Sequence, residues 1–347
     1  MRHFAVLAFL APALLAAGAK PAGATDPRPQ LPKILWRQPG TMTLQDWVCG
    51  PGGCEREPAP PFRFLRLDLQ GSAPKVSVRD ARGRTWSVKL GAEVIPEVFA
   101  PRFLMALGYF AEPAYYVPSG TIMGVPRLPA KIRHVLHEDG SFTKARFELR
   151  DEKYFVFLPN QKWAWNANPF LGTPQLAGLK IVMMLLSNWD AKDARNGAES
   201  NNAAFRWADS GHPAEAYAVF DWGAALGRWG GFLGRSQSDC VAFAAQTPDF
   251  VQGLRNGVIQ WGFSGKHASD VKSDITPADV RWLLPYLKRI TPDSLRAGLA
   301  ASGATPRQAG CWASSIEDRT GQLEAVAEEG AQGRFASSRA VKTGSAE

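Results

Sequence analysis

A segment that is apolar on every face and ends in an acidic loop constrains this fold more than any other feature. It runs from Gly172 to Asp190 and reads GTPQLAGLKIVMMLLSNWD. Thr173 is placed to cap a helix, and Pro174 sits in the first turn, where a missing N–H costs nothing. Leu176, Leu179, Val182, Met183 and Leu186 follow helical spacing, and Ile181, Met184 and Leu185 fill the other faces. A helix apolar all round belongs in a core. This one is predicted from Pro174 to about Ser187, where it delivers Asp190 into a polar loop.

That loop carries Lys192, Asp193, Asn196, Asn201 and Asn202. The strand-like AAFRW follows, then a second strand, YAVF, which runs into Asp221-Trp222-Gly223. Asp190 and Asp221 are thus delivered by neighbouring elements, with asparagines close by. Carboxylates and amide oxygens together form a hard-oxygen site, suited to Mg²⁺ and phosphate.

Upstream, Phe62–Leu69, Lys75–Asp80 and Thr85–Leu90 alternate or run apolar as strands, with a hairpin turn around Gly83. Lys89 lies at the end of the third strand. Glu93 and Glu97 follow, then VFAPRFLMALGY, an apolar helical pattern ending at Gly108. Pro96 suits a first turn, whereas Pro101 removes an internal hydrogen bond at a cost of about 3 kcal/mol. A helix starting only at Pro101 leaves Glu97 in a loop. Further strands are expected over 112–160. His134 and His137 fall in a strand-like stretch and are not read as metal ligands. Trp163, Trp165 and Phe170 form an aromatic connection. Helices are expected after Thr276, Thr291 and Thr305, the first divided at Pro285.

The chain has 347 residues, 45% hydrophobic and 21% charged, with a formal net charge of +8. That composition is globular, and the charge favours anionic partners such as phosphates. No run of Lys and Arg interleaved with aromatics is present, so nucleic acid is not an expected partner. Arg2, the apolar run Phe4–Leu15 and Ala22-Gly23-Ala24 read as a signal peptide over 1–24. No later stretch is apolar for the ~18 residues of a membrane span. The expected location is periplasmic or extracellular. There, Cys49, Cys54, Cys240 and Cys311 can pair. Cys49 and Cys54 bracket a Gly-Pro-Gly-Gly turn, which makes a local bridge natural and leaves Cys240 for Cys311. Residues 25–61 are read as an extended Pro-rich segment and 330–347 as a disordered tail.

The ordered set of strand Lys, helix Glu, buried helix, Asp loop and Asp-Trp-Gly resembles the catalytic core of protein-kinase-like folds. Asn188-Trp189-Asp190 stands where His-Arg-Asp is usual, and no Gly-x-Gly-x-x-Gly loop is present. The resemblance is therefore to the atypical branches, such as HipA-like and Golgi secretory kinases. It implies an α+β, bilobal fold, with a small antiparallel β lobe over 62–160 and a larger helical lobe over 161–329. It also implies ATP and Mg²⁺ as cofactors and a protein or glycan hydroxyl as acceptor.

By residue, the resemblance makes Asp190 the catalytic carboxylate, with Lys192 steadying the transferred group. Lys89 contacts the nucleotide phosphates and pairs with Glu97, or with Glu93 in its place. Gly71 and Ser72 lie at the phosphate turn. Asp221 holds the metal with Asn196 or Asn202. Two alternatives stand beside this reading. One is a catalytically silent pseudokinase, and the other is a glycan-binding envelope protein that stacks sugars on Trp163 and Trp165.

Overall fold

The computed structural model describes residues 31–69, 73–150, 156–197, 200–209 and 212–343. It is a mixed α+β structure. Two short elements come first, β1 (Lys33–Ile34) and α1 (Leu44–Cys49). Within the segment expected to be extended, α1 forms because Thr43 and Asp46 cap each other's backbone amides in a capping box. Cys49 and Cys54 are joined by a disulfide.

A closed five-stranded barrel follows. Its strands are β2 (Phe62–Asp68), β3 (Lys75–Arg79), β4 (Thr85–Leu90), β5 (Ala114–Met123) and β6 (Ser141–Leu149), in the order β2-β3-β4-β6-β5. The sequence predicted an antiparallel sheet. The ladders are antiparallel except that β2 pairs parallel to β5, and this pairing closes the barrel and removes its edges. Val76, Val78, Trp86, Val88, Phe142 and Phe147 fill the interior.

Between β4 and β5 lies α2 (Val94–Ala106). It starts before Pro96 and continues through Pro101, so Glu97 stands on its first turn. All of its positions from Val94 to Ala106 are buried except Ile95 and Met105, and tertiary burial outweighs the bond lost at Pro101.

The remainder is built around α3 (Pro174–Leu185), whose residues Leu176 to Leu185 are all buried. Thr173 caps it through the Leu176 amide. A four-stranded sheet, ordered β1-β9-β8-β7, contains β7 (Val156–Lys162), β8 (Asn202–Asp209) and β9 (His212–Val219). Next come α4 (Cys240–Ala244), the hairpin β10 (Val251–Arg255) and β11 (Val258–Trp261), and α5 (Ser269–Lys272). The last helices are α6 (Pro277–Leu287), α7 (Pro292–Ala301) and α8 (Pro306–Thr343). Pro285 does not divide α6, which ends only two residues later. Nor does α8 stop near 330, because its Ala, Glu, Gln and Arg content favours helix over coil. Among the described residues, no helix is long and apolar enough to cross a membrane.

A buried arginine fixes the end of α3. Arg319 of α8 donates to Leu185 O (2.9 Å), Phe243 O (3.0 Å) and Ser187 Oγ (2.8 Å), and its guanidinium lies 3.8 Å from the Phe243 ring centroid. These contacts satisfy carbonyls that a helix terminus leaves open. They also hold Ser187, whose φ of 49° is unusual for a residue with a Cβ. That turn folds the Asn188 amide back onto Met183 O (2.8 Å) and closes the helix end.

Candidate functional site

The β4 strand delivers Lys89 into an enclosed position, 4% exposed. The β4–β6 register sets Lys89 directly opposite Arg146. Two adjacent cations need carboxylates between them, and α2 supplies these. Lys89 Nζ lies 2.8 Å from Glu93 Oε2 and is paired with Glu97 Oε1. Arg146 Nε lies 2.8 Å from Glu97 Oε2. Arg146 also pairs with Glu148, which pairs with Arg150, whose guanidinium reaches Glu112 at 3.0 Å. A chain of alternating charges therefore runs from the barrel strands to α2. Buried ions persist in such chains because each has a partner of opposite sign.

Asp221 enters from the end of β9. The Gly223 N–H donates to its Oδ1 at 3.0 Å, while the Trp222 indole donates to Val219 O at 2.9 Å. The glycine is required by close approach. A Cβ at Gly223 would come within 2.6 Å of Glu93 Oε2 and 3.0 Å of Glu97 Oε1. One carboxylate oxygen from each of Glu93, Glu97 and Asp221 lies within 4.8 Å of the others. Burial works to raise the Asp221 carboxyl, but Lys89, the Gly223 amide and Lys192 hold it below the ordinary value. Glu97 is raised by burial in spite of Arg146 and Lys89. Lys89 is driven the other way. Burial disfavours its charge, yet Glu97 and Asp221 keep its pKa above the ordinary 10.5.

Asp190 approaches from the loop after α3. Its main chain is clamped, with Asn201 Nδ2 donating to Asp190 O (2.8 Å) and Lys266 N donating to Trp189 O (2.7 Å). Asn188 Nδ2 donates to Asp221 O (3.0 Å), so the two acidic loops are tied together. Lys192 Nζ sits 3.7 Å from Asp190 Oδ2. Burial raises the Asp190 carboxyl, Lys192 opposes this, and Asp221 adds to it. Its Oδ1 is buried without a hydrogen-bond partner.

The two asparagines expected as metal ligands, Asn196 and Asn202, occupy different environments. Asn196 is exposed; its Oδ1 accepts the Asp193 amide (2.9 Å) and its Nδ2 meets His267 (3.2 Å). It is a turn residue. Asn202 is fully buried, opens β8 opposite Val219, and has no hydrogen-bond partner for either side-chain polar atom. Gly71 and Ser72 lie outside the described residues. Trp163 and Trp165 are buried at 4% and 0% and stack edge-to-face at 5.0 Å, so neither offers a face to a sugar. Asp193 accepts the Trp165 amide (3.0 Å) and pairs with Arg195, a structural role.

The donor set fits a hard cation. Its clustered donors are the carboxylates of Glu93, Glu97 and Asp221, and Asn188 is tied to the Asp221 main chain beside them. Asp190 Oδ1, Asn188 Oδ1 and Asn202 Oδ1 are buried acceptors without partners. Buried acceptors normally have a partner, and oxygens of this kind are ones a hard cation or its water shell can satisfy.

Sequence reading passed over Arg146, Glu148, Arg150 and Glu112. A signal was there, since R-F-E-L-R places Arg146, Glu148 and Arg150 on one face of a strand. Glu112 and Glu148 compete for the same cations. Burial and then the Glu148 charge push the Glu112 carboxyl up to about 8, while Arg146 and Arg150 hold Glu148 below the ordinary value against burial. Glu112 is raised above its ordinary 4.5 on folding. Its contribution to stability is therefore complete below about 4.5 and is lost as pH rises through about 8. Melting temperature should fall over that window, in which Glu148, held below 4.5, stays ionised in both states and adds no opposing slope. The Glu112→Gln variant should show a flatter profile; an identical profile would refute the assignment.

No family model matches the sequence, and no curated protein matches it. Among solved structures it is similar to one described as the crystal structure of the Golgi casein kinase. That likeness has 11% identity, covers 84% of this chain and 76% of that chain, and has a TM-score of 0.39. A TM-score this low does not carry a fold assignment.

Proposed function

We propose that the chain is a phosphotransferase on a bilobal, kinase-like fold, moving a phosphoryl group from ATP–Mg²⁺ to a protein or glycan hydroxyl. The supporting observation is the convergence of a buried Lys89–Glu97 pair with Asp221, and the tie of Asn188 to Asp221 that brings Asp190 alongside. Phosphoryl transfer needs positioning and charge stabilisation and no protein nucleophile. The residues fit those needs. Lys89 commits donors to Glu93 and Glu97 and directs its remaining N–H to a phosphate oxygen. Asp221 and Asn202 would hold Mg²⁺, which when bound neutralises phosphate charge. Asn202 is preferred to Asn196 because its Oδ1 is buried and unpartnered. Asp190 orients the attacking hydroxyl and accepts its proton, and Lys192 keeps Asp190 ionised and meets the transferred group. An oxidising compartment, periplasmic or extracellular, accords with the Cys49–Cys54 disulfide. Burial of Trp163 and Trp165 removes the support for the glycan-binding alternative.

The direct test is a thermal-shift titration of the chain with ATP, with and without Mg²⁺. Ligand at ~100 times its Kd should stabilise the native chain by about 2.7 kcal/mol, and Asp221→Ala should lose that shift. Absence of any Mg²⁺-dependent shift in the native chain would count against both the active and the nucleotide-binding silent forms of the proposal.

A further inference from the structure

Two half-buried thiols outside the site are brought together by the fold. Cys240 opens α4 and Cys311 lies on α8, and both are free. A single carbonyl sets their approach. Leu226 O accepts the Asp239 N–H (2.9 Å) and also the Trp312 indole N–H (3.2 Å). The residue before Cys240 and the residue after Cys311 are thus bound to one oxygen. Asp239 further caps the Ala242 amide at 3.0 Å, which fixes the start of α4. These shared contacts bring the start of α4 and the Cys311 turn of α8 together.

We propose that Cys240 and Cys311 are the site of a second disulfide, formed by exchange with an oxidised thiol–disulfide partner. One thiolate attacks the partner's disulfide and expels one partner thiolate, giving a mixed disulfide. The second thiolate attacks the protein sulfur of that bond and expels the other. One S–S bond forms in the chain, one is reduced in the partner, and the two protons leave with the partner's thiols. Burial and then Cys240 push the Cys311 thiol up to about 12, so it is protonated at neutral pH. Exchange through Cys311 is therefore slow without a catalyst, because the thiolate is the attacking species.

The bond would anchor a segment that touches the candidate site. Just before Cys240, Ser236 O accepts the Trp189 indole N–H (2.9 Å) and Gln237 Nε2 donates to Glu93 Oε1 (3.4 Å). Trp229 stacks on Trp189 at 4.9 Å. Oxidation pins this segment to α8 at one end while its other contacts hold Trp189, beside Asp190, and Glu93. The inference does not depend on the phosphotransferase reading.

The test is peptide mapping of the full chain after equilibration with oxidised glutathione, with free thiols alkylated under denaturing conditions. The Cys240 and Cys311 peptides should be recovered linked to each other, separately from Cys49–Cys54. Oxidation should raise the Tm by roughly 5–10 °C, because it closes a long loop, and Cys240→Ser/Cys311→Ser should show no such rise. Recovery of both thiols alkylated at equilibrium, or of either linked to Cys49 or Cys54, would overturn the proposal.

Discussion

The Asp190→Asn variant should lose phosphoryl transfer by about 10²–10⁴-fold while keeping the Mg²⁺-dependent stabilisation by ATP. The substitution is nearly isosteric, and the clamps on this loop act through backbone. Asn201 holds Asp190 O, and Lys266 holds Trp189 O and the Ala191 amide. Fold and nucleotide site should therefore survive. What is lost is the carboxylate that receives the hydroxyl proton. The pH dependence separates this from a general loss of structure. Burial raises the native Asp190 carboxyl, so native activity should climb as pH rises through that raised value. The residual activity of the variant should lack that limb. Autophosphorylation and ATP hydrolysis, followed with labelled γ-phosphate, give the readout without knowledge of the acceptor. An unchanged rate in Asp190→Asn would remove Asp190 from the mechanism. A native chain that takes the ATP shift but transfers nothing would be the silent form of the fold.

The local signals in this sequence were strong where a residue's own chemistry fixes its neighbours. Thr173-Pro174 starts α3, and the all-round apolar run buries it, because neither depends on distant parts of the chain. The Asp-Trp-Gly turn was legible for the same reason. Three features were hidden because they are settled between elements. Barrel closure depends on β2 meeting β5, about sixty residues later, and no strand pattern names its partner. Glu93 and Glu97 both contact Lys89, whereas sequence reasoning ranked them as alternatives. The reason is Arg146: a second cation opposite Lys89 makes room for more negative charge. Trp163 and Trp165 allowed two readings in sequence, a sugar-stacking surface or core, and their burial makes them core. A polar stretch surrounds them, but Asp193 turns its side chain inward to the Trp165 amide and draws the connection into the core. The choice between Asn196 and Asn202 was open in sequence because both follow Asp190 at plausible distances. Turn chemistry decides their environments, since Asn196 spends its oxygen on the Asp193 amide.

Lys89→Met should be the most destabilising single change at the site, costing about 3–5 kcal/mol at neutral pH. Lys89 is 4% exposed and stands among Glu93, Glu97 and Asp221, whose oxygens crowd within 4.8 Å. Removing its charge leaves Arg146 paired with Glu97 and takes from Glu93 its 2.8 Å ion pair with Lys89. The sign with pH follows from linkage. In the native chain Lys89 is raised above 10.5, so its contribution is complete below that pH and is lost only as pH rises through the folded value. In the variant the carboxylates lose that partner, and at least one must take up a proton with a pKa raised above its unfolded value. Stability then falls as pH rises through that value, so the deficit should be larger near about pH 8 than near about pH 5.5. A second-site Glu97→Gln change should restore part of the loss in Lys89→Met while destabilising the native background, because it removes a charge that is surplus only when Lys89 is absent. Urea unfolding of the four chains at both pH values measures this coupling directly. Additive effects, or a Lys89→Met variant within about 1 kcal/mol of native at both pH values, would mean that the cluster is held by packing and solvent and not by the ion pair.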